Sequence, residues 1–217
     1  MRAVALVLSL WATRALSHAC GRVHFVGNSV SRGWAFALSA RRSGIDDVAG
    51  REEQKNACGS TEGERCRLAN AVDFTWAWNV WSPLIETALA QEANVTVVNV
   101  GSHYVFSNVS DFALRAAIEG SSLKKSMKKA PAVPNVWFRT STRACGDVYG
   151  MGVDEVNAKL RIVNRVLMRE LAGSGARVFD AWTNQTSCAD YDDRVHSRAL
   201  IQTQLSAWER VACPNVA

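Results

Sequence analysis

Between Arg22 and Asp180 the chain alternates short, densely apolar runs with longer stretches whose apolar residues recur at helical spacing. Arg22-Val23-His24-Phe25-Val26 is the first run; it breaks at Gly27-Asn28-Ser29 and resumes as Val30 to Arg41, rich in Ala, Leu and aromatics. That pattern predicts a strand, a tight turn and a helix. Phe74 to Val80 alternates bulky and smaller residues as a half-buried strand would; Ser82-Pro83 ends it, and a helix is expected over 84–91. Val95 to Val100 is almost entirely β-branched and stops at Gly101, while Val136 to Thr140 and Arg177 to Asp180 read as two buried central strands. Val156, Leu160, Val163, Leu167 and Leu171 fall at steps of four and three, the stripe of a packing helix that ends before Gly173 rather than a cofactor site.

Strands alternating with helices indicate an α/β protein: a three-layer α/β/α sandwich around a mainly parallel central sheet. In such sheets ligands gather at the carboxyl ends of the strands, where Gly27-Asn28-Ser29, Gly101 and Arg139 all stand. The stretch from Ala49 to Arg67, rich in Gly and charge, reads as a disulfide-clipped loop.

Residues 1–19 combine a basic start, a short apolar centre and Ala-Leu-Ser-His-Ala at the end, the form of a cleaved signal peptide; residues 20–217 then make a single domain. The apolar run is shorter than the ~20 residues a spanning helix needs, and no later segment spans. The expected location is therefore outside the cell or the lumen of the secretory pathway, the Golgi included. Cys20, Cys58, Cys66, Cys145, Cys188 and Cys213 form an even set suited to disulfides; Cys58 with Cys66 would close a small loop and Cys20 with Cys213 would tie the termini. With no C-x-x-C pair, a zinc site is not expected. Asn94, Asn108 and Asn184 open N-x-S/T triplets and are glycosylation candidates. Losing Arg2 and Arg14 lowers the formal charge from +5 to +3, a mild excess that does not imply nucleic acid. The Lys124-Lys125-Ser126-Met127-Lys128-Lys129 cluster is read as a solvated face or loop.

Ser29 lies between a strand and a helix, where its hydroxyl is presented at the sheet edge and its N–H, at a helix start, can face a developing oxyanion. A serine hydroxyl needs a base to take its proton and an acid to fix that base. Asp193-Arg194-Val195-His196 supplies both on one loop near the other end of the chain.

Phe25-Val26-Gly27-Asn28-Ser29-Val30-Ser31-Arg32 resembles the first block of the SGNH (GDSL-like) hydrolases, and specifically of the PC-esterase branch, which includes the trichome-birefringence-like polysaccharide O-acetyltransferases. Trp81-Ser82-Pro83-Leu84, Asn99-Val100-Gly101-Ser102-His103, Phe138-Arg139-Thr140 and the closing Asp193-x-x-His196 are similar to further blocks of that branch, in order. The resemblance implies a flavodoxin-like sandwich in which Ser29 attacks an acyl carbonyl, His196 moves the proton and Asp193 orients His196. It implies an oxyanion hole from the Ser29 and Gly101 backbone, with Asn99 as a further donor or a loop cap. Arg139 and Arg32 would be supporting or substrate-orienting cations, and His103 a pocket or structural residue. Asn28 departs from the usual Asp of this block. No cofactor or metal is needed, and the partners would be an acylated carbohydrate, or an acyl donor with a glycan acceptor. The expected activity is secreted O-acyl, chiefly O-acetyl, hydrolysis or transfer. The alternative is a catalytically silent extracellular glycan-binding module on the same scaffold.

Overall fold

The structure is a computed structural model that describes residues 20–44, 58, 61, 63–77, 89, 93–106, 110–129, 135–185, 187–188, 196 and 198–213. Its six strands are β1 (Val23–Gly27), β2 (Arg65–Leu68), β3 (Val72–Trp76), β4 (Val95–Asn99), β5 (Val136–Arg139) and β6 (Arg177–Phe179), hydrogen-bonded in the order β2-β3-β1-β4-β5-β6. Only β2 runs antiparallel, against β3; the other four pairings are parallel. After β1 the chain winds first to β3 on one side and then returns to β4 on the other, so the order reverses beside β1. The carboxyl ends of β1 and β4 therefore border the crevice where a doubly wound sheet takes its ligand.

Among the described residues five helices of known bounds flank the sheet: α1 (Ser29–Arg42), α2 (Ser102–Phe106), α3 (Phe112–Lys129), α4 (Val153–Leu171) and α5 (Arg198–Ala212). Alternation along each strand divides the core into two layers. Val23, Phe25, Val95, Val97 and Trp137 join Trp34 of α1 and Trp208 of α5 on one face. Val26, Val98 and Phe138 join Leu123 of α3 and Leu160, Val163 and Leu167 of α4 on the other. The α4 stripe is buried throughout, as its spacing predicts.

Three elements depart from expectation. β3 begins at Val72 and is buried along its whole length rather than half-buried, because its Val72, Phe74 and Trp76 pack in the layer of α1 while Asp73 pairs with Arg22 and Arg65 and Thr75 bonds His24 on the other face; Trp78 to Val80 lie outside the described residues. β6 is an edge strand with Arg177 and Val178 exposed, not a central one, since nothing described pairs beyond it. Within the supposed clipped loop, Arg65 to Leu68 form a strand whose exposed arginines flank buried Cys66. The lysine cluster ends α3 with Lys125 and Lys128 exposed, so of the two readings offered it is the solvated face and not the loop. Of the helix expected over 84–91 only Leu89 is described, and it is helical. α5 was not foreseen, although Leu205, Trp208 and Ala212 form a buried stripe on it.

α1 and α5 lie side by side and run the same way. Near their starts Ile201 fills the space a side chain would take at Gly33, 2.9 Å from that position, and toward their ends Arg41 pairs with Glu209. Disulfides join Cys20 to Cys213, Cys58 to Cys66 and Cys145 to Cys188; the first two are the pairings the spacing suggested. No helix among the described residues is long and apolar enough to cross a membrane.

Trp208 meets the rings of Phe25, Trp34 and Trp137 at centroid distances of 6.0, 6.1 and 6.4 Å. Trp208→Ala would leave a cavity at the centre of that layer and is expected to cost about 3–5 kcal/mol, read from the midpoint of chemical unfolding.

Candidate active site

The β1–α1 turn is shaped by two residues. Gly27 has φ of +152°, and a Cβ there would overlap the Asn99 carbonyl oxygen and the Ser31 hydroxyl, so only glycine lets the ends of β1 and β4 approach this closely. Asn28 caps α1: its Oδ1 accepts from the Val30 N–H at 3.0 Å, while its Nδ2 donates to Ser102 Oγ at 2.7 Å. The amide thereby ties the start of α1 to the start of α2. An aspartate, the usual residue of the resembled block, could cap equally well but could only accept from Ser102.

Ser29 opens α1, where the first-turn N–H groups have no partner within the helix. Its Oγ lies 2.8 Å from Nε2 of His196, 167 residues away. His196 directly precedes α5, whose start lies beside that of α1, so the packing of the two helices delivers serine and histidine to the same place. Asp193 and Asn108 lie outside the described residues.

Ser29 and His196 line an open cavity of about 620 Å³, mouth included, with Asn28, Asn99, Ser102, His103, Phe106, Arg139, Tyr149 and the segment Ser141 to Ala144. Gly101 has φ of +95°, a backbone conformation that favours glycine, and a Cβ there would crowd Leu167 and Val163 at 3.0 and 3.1 Å. Asn99 Nδ2 donates to the Arg139 carbonyl at 2.8 Å, pinning the end of β4 to that of β5. Arg139 is fully buried, 4.7 Å above the Trp34 ring, and donates to Gln204 of α5 at 3.0 Å. Gln204 in turn donates to the Ala181 carbonyl, so Arg139 braces the helix that follows His196.

Arg32 is placed differently: it reaches the Cys58 carbonyl and lies 5.0 Å over Trp76, away from the cavity lining. Burial lowers its pKa from the usual arginine value. His103 does line the cavity, and burial pushes its pKa down to about 4, so it is neutral near pH 7. Asn94 and Asn184 are exposed, with Asn94 Oδ1 accepting from the Arg22 N–H and Asn184 donating to the Asp180 carbonyl.

The wall from Ser141 to Ala144 is a feature sequence reasoning missed. Asn164 accepts from the Ser141 N–H and donates to its carbonyl, both at 2.9 Å. Asn157 does the same for Ala144 at 2.8 and 2.9 Å, and Gln185 for Arg143 from the opposite side. Three amide side chains thus replace the strand partners this extended segment lacks. The only signal was two asparagines on the apolar face of α4.

The fold has known counterparts. An aryl esterase from M. smegmatis superposes with a TM-score of 0.57 at 11% identity over 88% of this chain and 97% of the other. A carbohydrate acetylesterase from Sinorhizobium meliloti gives 0.56 at 13% over 88% and 98%. A variant of an acetyl-xylooligosaccharide esterase from Geobacillus gives 0.53 at 13% over 87% and 92%. No protein-family model and no curated protein matches the chain by sequence. The chain has the α/β fold of these esterases.

Gly27→Ala is expected to destabilise the protein by about 1–3 kcal/mol, measured by denaturant unfolding, because backbone rather than a flexible side chain must give way. The unfolded chain protonates His103 near 6.5, whereas the folded protein resists until about 4. The unfolded state therefore binds more protons in that window, and native stability falls as pH drops through it. His103→Gln should remove that part of the acid slope in a Tm-against-pH series.

Proposed function

We propose that the protein is a secreted serine-dependent O-acyl esterase acting on acetylated carbohydrate. The observation that carries this reading is the 2.8 Å contact between Ser29 Oγ and His196 Nε2 at the carboxyl edge of a parallel sheet, facing an open cavity. Ser29 Oγ attacks the ester carbonyl as His196 Nε2 takes its proton. The tetrahedral oxyanion is held by the Ser29 and Gly101 N–H groups. Collapse expels the alcohol, which leaves with the proton from His196; water then repeats the sequence on the acyl-Ser29 ester and releases acid. Asp193 orients His196, so that Nδ1 carries the hydrogen and Nε2 is the acceptor. Asn99 and Arg139 brace this centre from β4 and β5.

The carbohydrate part of the proposal rests on the resemblance to the PC-esterase branch and on the activities for which two of the structural counterparts are named. Secretion is supported by the three disulfides and by the signal-like start of the chain. Transfer of the acyl group to a glycan hydroxyl uses the same steps with the acceptor in place of water.

A fluorophosphonate probe should label the wild-type protein and not Ser29→Ala, and Ser29→Ala should lose at least about 10³-fold in ester turnover. A folded wild type that takes no label would sink the enzymatic reading and favour a binding module. Incubation with acetylated oligosaccharides, with and without an added acceptor glycan, should release acetate; acceptor mass reports any transfer.

A further inference from the structure

At the rim of the cavity the chain makes a two-residue hairpin. Val148 and Met151 exchange both backbone hydrogen bonds at 3.0 Å, and the central residues Tyr149 and Gly150 have φ of +50° and +80°. A turn with both central residues left-handed favours Asn, Asp or Gly at its first position, because other side chains crowd the following carbonyl. A tyrosine there opposes local preference. Burial does not compensate, since Tyr149 is 80% exposed.

What the position offers is placement. Tyr149 lines the cavity that holds Ser29 and His196. Its ring is met by Phe106 at 6.3 Å and 63°, and Phe106 is met in turn by His103 at 6.3 Å and 87°. The hairpin is fixed at its base: Cys145 is bonded to Cys188, Asn157 clamps Ala144, and Asp147 accepts from the Val153 N–H at the start of α4. A rigid, solvent-facing aromatic surface therefore stands at the mouth of the site. Strain retained at such a position points to function rather than to folding.

We infer that Tyr149 is a platform on which a pyranose ring of the substrate stacks through its C–H face, selecting glycan esters over small esters. This deepens the acyl-esterase reading and rests on it for the substrate's identity. The phenol ring, not its hydroxyl, makes the contact, so Tyr149→Phe preserves it and Tyr149→Gly removes it while relieving the turn.

The test is calorimetric titration of partially acetylated xylo- and manno-oligosaccharides into Ser29→Ala protein, which binds without turnover. Adding Tyr149→Gly should weaken binding about tenfold and raise Tm, whereas adding Tyr149→Phe should leave affinity within about twofold. In the active protein Tyr149→Gly should lower the ratio of kcat/KM on these oligosaccharides to that on p-nitrophenyl acetate by a similar factor. Equal binding by Tyr149→Gly, or no binding of either oligosaccharide to the Ser29→Ala protein, would overturn the platform. Fluorophosphonate labelling of Ser29 reports separately on the nucleophile. Tyr149-dependent binding without labelling would retain the platform and reject the esterase.

Discussion

The hydrogen bond between Ser29 and His196 spans 167 residues, and most of the architecture is arranged so that it can form. Neither residue is held by its own segment alone. Ser29 is set by the Gly27 turn and the Asn28 cap, and His196 by the start of α5. The two come together because α1 and α5 lie against each other through Trp34, Trp208 and the Arg41–Glu209 pair. Arg139 extends the same bracing from the sheet to Gln204 of α5. A serine and an imidazole need placement within a few tenths of an ångström, and helices packed on a sheet supply it better than a loop does.

Polar side chains do a second kind of positioning at the strand ends. Asn28 to Ser102, Asn99 to the Arg139 carbonyl, and the Asn157, Asn164 and Gln185 clamps all act where strand pairing has stopped. Each satisfies backbone or hydroxyl groups that burial would otherwise leave unpaired, at a cost of roughly 1–3 kcal/mol apiece. The result is a cavity with a firm wall on each side of Ser29. The Cys145–Cys188 disulfide joins that wall to the segment leading toward His196.

Local pattern carried the legible part of the fold. β1, its turn and α1 were readable because the apolar run, the glycine and the helical stretch adjoin in sequence, and α4 because its stripe is regular. Ser29, His196, Asn99, His103 and Arg139 were named from motif and strand-end position, and all five line one cavity. What escaped depended on topology or on distant contacts. Edge status for β6 follows from its pairing, among the described residues, with β5 alone. The value of Arg65-Cys66-Arg67-Leu68 as a strand follows from having β3 beside it. Tyr149 carries no local mark beyond the glycine after it; only φ, exposure and the neighbouring cavity single it out.

The chemistry proposed for this arrangement reduces to one covalent event at one oxygen. Acid-quenched digestion and mass spectrometry of the wild-type protein during turnover of an acetylated oligosaccharide would observe it directly. The account predicts a single acetyl group on the peptide that carries Ser29, absent from Ser29→Ala and accumulating when His196 is replaced only to the extent that acylation survives. Turnover with no acyl adduct at Ser29, or with an adduct on another residue, would contradict it.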